Sequence, residues 1–363
     1  MNTVTNSRSR NLLPTLLLGA CIGLPHITLA DAPTSFTPDS HAPIGIMGDH
    51  RHKQGEIMIS YRYMSMSMED NLAGDDSISP ATIVTSLANP YANPPMSPPT
   101  VRVVPVDMTT NMHMLGVMYA PSDSITLVAM FNYVEKEMDH VTFMGPAGTN
   151  QLGTFTTRNS GIGDTKIGAL WGLSSGGGAN LHVNLGLSLP TGSIDETDDV
   201  LSPMNTRPTL RMPYAMQLGS GTFDPELGIT YYANSGNLGW GAQFKAIYRL
   251  GENDEDYTLG DSLQLSGWGS YRLTDWLSGS LRLSYVDTDS IDGNDPAIRA
   301  PVTTANPDNY GGERLDAALG FNAVTSHGHR FAFEYSTPIQ QDVNGVQMEM
   351  QSMWTLGYQF AFY

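Results

Sequence analysis

The last seventeen residues, Gln347 to Tyr363, read Gln-Met-Glu-Met-Gln-Ser-Met-Trp-Thr-Leu-Gly-Tyr-Gln-Phe-Ala-Phe-Tyr. Successive side chains of an extended chain point to opposite faces. Trp354, Leu356, Tyr358, Phe360 and Phe362 therefore make one apolar ridge, opposite Thr355, Gly357, Gln359 and Ala361. In water a terminal ridge of this kind is a template for aggregation. Against hydrocarbon it is matched to its surroundings, so the chain closes on what reads as a lipid-facing strand.

The N-terminus agrees with export. Residues 1–30 carry Arg8 and Arg10, then an apolar stretch from Leu12 to Leu29, then Ala30 before Asp31, the pattern of a secretory signal peptide. Leu18-Gly19-Ala20-Cys21 offers a lipoprotein cleavage site as the alternative, but the apolar run continues past Cys21. On the first reading the mature chain loses its only cysteine, and with it disulfides and thiolate metal sites.

Removing those thirty residues leaves 16 basic against 36 acidic residues, a formal charge of −20. Nucleic acid is excluded as a partner, since its binding needs basic patches. With 15% charged residues and 37 glycines the chain is rich in turn chemistry, and no apolar run after residue 30 reaches the eighteen or so residues of a membrane helix. Insertion must be by strands.

Period-2 runs lie near 55–68, 109–120, 124–135, 160–173, 180–190, 222–233, 238–250, 262–273, 276–286, 313–324, 329–337 and 347–363. Short turns alternate with long polar segments at 69–108, 136–159, 191–221, 251–261, 287–312 and 338–346. One face of each run is nearly free of charge. The other collects Arg62, Lys166, Glu226, Lys245, Arg282, Arg330 and Glu334. A charge on the lipid side costs about 2–4 kcal/mol near the midplane, so these residues must face a lumen.

The expectation is all-β: a transmembrane antiparallel up-and-down β-barrel of about 12 strands over residues 55–363, preceded by a periplasmic His/Met-containing segment at 31–54. Its place is the outer membrane of a Gram-negative bacterium. Its partners are the lipid bilayer, lipopolysaccharide, and the barrel assembly machinery through the C-terminal strand. A soluble barrel would alternate too, but explains neither the final strand nor the asymmetry of turns and loops.

Gly161-Ile162-Gly163-Asp164, the corner Leu187-Ser188-Leu189-Pro190-Thr191-Gly192, Leu218-Gly219-Ser220-Gly221 and Pro338-Ile339-Gln340-Gln341-Asp342-Val343-Asn344-Gly345 resemble the outer-membrane family named after the meta-pathway of phenol degradation. The resemblance runs from about residue 55 to the end. It implies a barrel that passes small, often aromatic or hydrophobic compounds. The stretch from His41 to Met68 is similar to a methionine- and histidine-rich subgroup of that family.

That stretch carries the sharper chemistry. Met58, Met64, Met66 and Met68 share the parity of Arg62 and so face inward; Met112, Met114 and Met118 repeat the pattern on the next strand, and Met130 on the third. Neighbouring strands lie about 4.8 Å apart, so these thioethers converge. As flexible apolar groups they line a path for a greasy solute; as soft ligands they suit Cu(I). The first reading makes Met58, Arg62, Met64, Met66, Met112, Met114, Met118 and Met130 the path of a small-molecule solute through a channel that needs no cofactor. The alternative is a copper-handling barrel in which His41, Met47, His50 and His52 present a copper ion.

Acidic loops, such as Asp195, Glu196, Asp198 and Asp199, draw cations to the rim and can bridge through Mg2+ or Ca2+ to lipopolysaccharide phosphates; the alternative is a plain solvated, charged surface. The proline-rich loop Asn71 to Asp107 is long enough to narrow the mouth. Catalysis is not expected. His182 and Asn184 share an inward face without an assignable serine, and Asp139 and His140, adjacent on a strand, point to opposite faces.

Overall fold

The computed structural model describes residues 37–95 and 97–363; the expected signal peptide lies outside the described residues. The chain forms β1 (Ile57–Gly74), β2 (Val103–Ser122), β3 (Ile125–Phe143), β4 (Gln151–Ile162), β5 (Thr165–Gly176), β6 (Ala179–Leu189), β7 (Asp224–Ser235), β8 (Leu238–Ile247), β9 (Ser262–Arg272), β10 (Leu277–Thr288), β11 (Gly312–Val324) and β12 (His329–Phe362). Pairing is antiparallel throughout, and β12 closes the sheet by pairing with β1 from Ile57↔Phe362 upward.

Two elements need care in counting. β4 pairs the upper part of β3 (Tyr133 to Phe143) and β5 its lower part (Ile125 to Met130), so together they make one stave broken at Gly163-Asp164. β12 is antiparallel both to β11 and to β1, which run in opposite directions, so it must reverse. It does so at Asn344-Gly345, where Gly345 has φ 63°, a conformation glycine adopts without Cβ strain. Thr337 Oγ1 donates to the Gln351 carbonyl at 2.9 Å and Met350 N to Gln341 Oε1 at 3.1 Å, tying the two arms together. The ring thus has twelve staves, an even number, as the alternation of the sequence requires.

The strands overshoot the sequence expectation on the outer side. β1, β2 and β3 are 18, 20 and 19 residues long, whereas crossing hydrocarbon takes about 9–11. Their outer halves rise above the bilayer, where Glu69, Glu135 and Glu137 are exposed. Segment 338–346, expected as a long outer loop, is the tip of the β12 hairpin.

The faces sort by solvent. Leu115, Leu127, Trp171, Leu185, Ile229, Phe244, Leu265, Leu281, Phe321, Phe333 and Leu356 are exposed on the outside, while Ser60, Thr126, His182, Thr230, Gln243, Ser266, Arg282, Asn322, Arg330, Glu334 and Gln359 are buried within. This inside-out pattern is that of a membrane barrel. No helix among the described residues is long and apolar enough to cross a membrane. The outer loops build a roof. Helix α1 (Pro80–Ser86) packs Ile83 and Val84 against Val104, Val141, Phe143 and Val346, and the following stretch meets loop 289–311 through Arg102 N to the Pro301 carbonyl at 2.8 Å.

Leu281 is 55% exposed and its neighbour Arg282 only 3%. Leu281→Arg should lower stability in lipid vesicles by about 2–4 kcal/mol, read from the urea midpoint. An unchanged midpoint would mean that this face does not meet hydrocarbon.

Candidate solute path and lumen plug

Residues 38–52, expected to precede the barrel in the periplasm, run inside the ring. The Asp39 carboxylate, fully buried, accepts from Arg272 Nε at 2.6 Å and Nη2 at 3.1 Å, and its carbonyl accepts from the Tyr232 hydroxyl at 2.7 Å. The chain then crosses the lumen. Arg330 Nη2 donates to the Ala42 carbonyl at 2.6 Å, Arg62 Nη1 to that of Ile44 at 3.1 Å, and Gln243 Nε2 to that of Met47 at 2.9 Å. His182 Nε2 and Asn184 Nδ2 both reach the Gly48 carbonyl, at 2.8 and 2.9 Å, and the His52 amide donates to Thr126 Oγ1 at 3.0 Å. Through these bonds seven of the twelve staves hold this segment, mostly by its backbone. Gly45 lies against the ion pair of Arg282 and Glu334. A Cβ there would sit 2.2 Å from Glu334 Oε1 and 2.8 Å from Arg282 Nη2, so a larger residue would have to push that buried ion pair aside.

Above the plug one wall of the lumen is methionine. Across β1 and β2 the register sets Met58 beside Met118, Arg62 beside Met114, Met64 beside Met112 and Met68 beside Met108. Met108 in turn faces Met138, and Met68 faces Met350. Met130 lies opposite Gly116 on one side and Lys166 on the other. Near the mouth Met108, Met138, Met212, Met216 and Met348 form one buried cluster. Met212 and Met216 come from the outer loop 190–223, which dips into the mouth: Lys136 Nζ donates to the Ala215 and Gln217 carbonyls at 2.8 and 2.5 Å.

From β5 onward most of the lumen-facing charges are paired. Glu226 bonds Lys166 and lies 3.4 Å from Lys245 Nζ, Asp224 holds Arg249, and Arg282 Nη2 meets Glu334 Oε1 at 2.6 Å. Beside the dipping loop a pocket of about 330 Å³ is lined by Lys136, Asp164, Tyr214, Leu218, Arg249 and Tyr310.

All the sequence-predicted path residues lie on the inner wall, but they divide. Met64, Met66, Met112 and Met130 are half-buried along it; Met58 and Met118 pack with Leu170 near the plug; and Arg62 is spent on holding the plug. Of the predicted metal residues, His41 and His50 come together with rings 5.0 Å apart, and His50 and His52 with rings 4.9 Å apart. Burial, with Arg330 nearby, holds His41 well below the usual imidazole range. Burial and the adjacent His50 take His52 down to about 4. Burial alone would raise the Asp49 carboxyl, but the charge and hydrogen bond of His50 hold it well below the usual carboxylate range. The parity argument missed Met212, Met216 and Met348, two on a loop and one beyond the register shifts that interrupt the β1–β12 ladder. His182 and Asn184, weighed as catalytic, hold the plug; His140 stacks on Phe155 and Asp139 accepts from Thr156.

Residues 138–327 match the family described as "Putative MetA-pathway of phenol degradation". Among solved structures the chain is similar to an outer membrane channel from Pseudomonas putida F1, at 15% identity and a TM-score of 0.57, covering 87% of this chain and 98% of that one. It is also similar to the P. putida toluene transporter TodX, at 11% identity and a TM-score of 0.42, covering 90% and 93%. Of these two, only the first shows a shared fold. No curated protein matches the sequence. The apolar girdle, closed ring and shared fold place the protein in the outer membrane.

The Arg282–Glu334 pair is buried on both sides. Glu334→Leu strands the guanidinium and should cost about 3–5 kcal/mol, whereas Arg282→Met combined with Glu334→Leu should recover most of the loss. Equal midpoints for wild type and the single variant would show the pair to be solvated.

Proposed function

This chain belongs to the family described above, whose model covers residues 138–327, and from that premise we propose that it is a channel for a small apolar or aromatic solute. The methionine wall carries the reading. From the cluster of Met108, Met138, Met212, Met216 and Met348 at the mouth, thioethers descend through Met64 and Met112 to Met58 and Met118 beside the plug. Each sulfur contributes only about 0.3–1.5 kcal/mol against an aromatic ring. A row of weak, similar sites lets a solute enter and still leave, which conduction requires. Most of the carboxylates and cations further round the ring are spent on one another rather than on a solute. Passage into the periplasm then requires the plug to shift. The comparisons lend nothing to copper passage, the alternative raised by the sequence.

Cells with an intact lipopolysaccharide leaflet that trap a radiolabelled alkylbenzene by oxidation provide the test. Expression of the protein should raise initial uptake of the alkylbenzene and not of a sugar. Met64→Gln with Met112→Gln should cut that gain severalfold, each amide withdrawing about 1 kcal/mol of contact. Equal gains for sugar and alkylbenzene, or a double variant as fast as wild type, would contradict the reading.

A further inference from the structure

The plug contains a cluster that the solute path does not use. His41 lies on its rising arm, and Asp49, His50 and His52 on the arm that returns toward the start of β3. The ligating atoms of His41, Asp49 and His50 all fall within 4.8 Å of one another. His50 Nδ1 is 2.9 Å from Asp49 Oδ1, and the other carboxylate oxygen accepts from the Ala42 amide at 3.1 Å, which fixes the carboxylate between the arms. The ring of His52 lies 4.9 Å from that of His50. Its Nδ1 is 3.2 Å from Glu56 Oε2, while its Nε2 is buried without a hydrogen-bond partner. A buried ring nitrogen left unpaired costs desolvation energy that packing does not return. Here it belongs to a ring that flanks two imidazoles and a carboxylate.

We propose that His41, Asp49 and His50, with His52 as fourth ligand, bind one divalent transition-metal ion that staples the two arms of the plug together. Donors around a tetrahedral ion at the usual imidazole distance lie about 3.4 Å apart. The ligating atoms of His41, Asp49 and His50, within 4.8 Å of one another, need only a short approach to reach that spacing, and His52 joins them from its ring contact with His50. The metal takes the place of the hydrogen bond between His50 and Asp49, and Asp49 keeps the Ala42 amide as its orienting partner. The donor set is nitrogen and oxygen, which selects Cu(II) or Zn(II) over the Cu(I) that thioethers would take. Two features separate this site from the sequence expectation. Asp49 enters it, and Met47, held through its carbonyl by Gln243, is not required. The site does not depend on what the channel passes.

Full-length mature protein without a polyhistidine tag, purified in detergent and stripped with EDTA, is titrated with ZnCl2 by calorimetry. A parallel sample receives half an equivalent of CuSO4 for electron paramagnetic resonance. Wild type should bind one equivalent of zinc at micromolar Kd or tighter, and the copper spectrum should show coupling to at least two imidazole nitrogens. Asp49→Asn and His50→Ala should each weaken zinc binding at least tenfold, while His327→Ala, in an exposed periplasmic turn, should leave it unchanged. The proposal is overturned by a wild type that takes up no equivalent at 100 µM zinc, by Asp49→Asn and His50→Ala binding as tightly as wild type, or by a copper spectrum with oxygen ligands only. The spectrum is read on the wild type, so it decides even where a variant does not fold.

Discussion

Hydrocarbon offers no partner to a backbone N–H or carbonyl, and the rest of this molecule follows from that. Each strand must find its hydrogen bonds in its neighbours, so the sheet has to close, and β12 does this by turning at Asn344-Gly345 and pairing its second arm with β1. Closure fixes which side of every strand meets lipid. The polar side is left enclosing a space too wide for small side chains to fill. That space is filled in two ways, by the N-terminal segment near the periplasmic end and by the dipping loop near the mouth.

The two fillers are held differently. Carbonyls of Asp39, Ala42, Ile44, Met47 and Gly48 accept from side chains of β7, β12, β1, β8 and β6. Such bonds read the shape of the plug backbone and tolerate change in its side chains, except at Gly45, where a larger residue would have to push the Arg282–Glu334 pair aside. The dipping loop instead adds Met212 and Met216 to a wall already made of methionine. Ion pairs and thioethers thereby concentrate on different staves: the pairs on β5, β7, β8, β10 and β12, and most thioethers on β1, β2 and β3, where Arg62 and Lys136 are the cations and hold the two fillers. A lumen with one greasy side has a direction around its axis as well as along it.

The barrel was legible because the constraint that makes it acts on every second residue. Leu181 to Leu189 and Leu277 to Tyr285 announce their strands directly. Legibility ended where hydrocarbon ended. Beyond Met68 on β1 and Glu135 on β3 the ladder continues in water, and nothing there forces one face to be apolar. The Asn344-Gly345 pair is a hairpin signal in its own right, but it was masked by the polar Gln340, Gln341 and Asp342 around it. The plug left almost no local trace. Most of its bonds join residues well over a hundred positions apart, such as Gly48 to His182 and Ala42 to Arg330, and no periodicity encodes them. The histidines were visible as a group, but Asp49, which sits between His41 and His50, carried no signal until the fold brought them together.

The central claim is that the N-terminal segment closes a lumen that would otherwise conduct. Single-barrel conductance in a planar bilayer tests it most directly, comparing the mature chain with one in which residues 38–52 are replaced by a Gly/Ser linker of equal length. The account predicts small or no ionic current through the wild type and a stable, several-fold larger step through the variant. Indistinguishable currents from the two would contradict it.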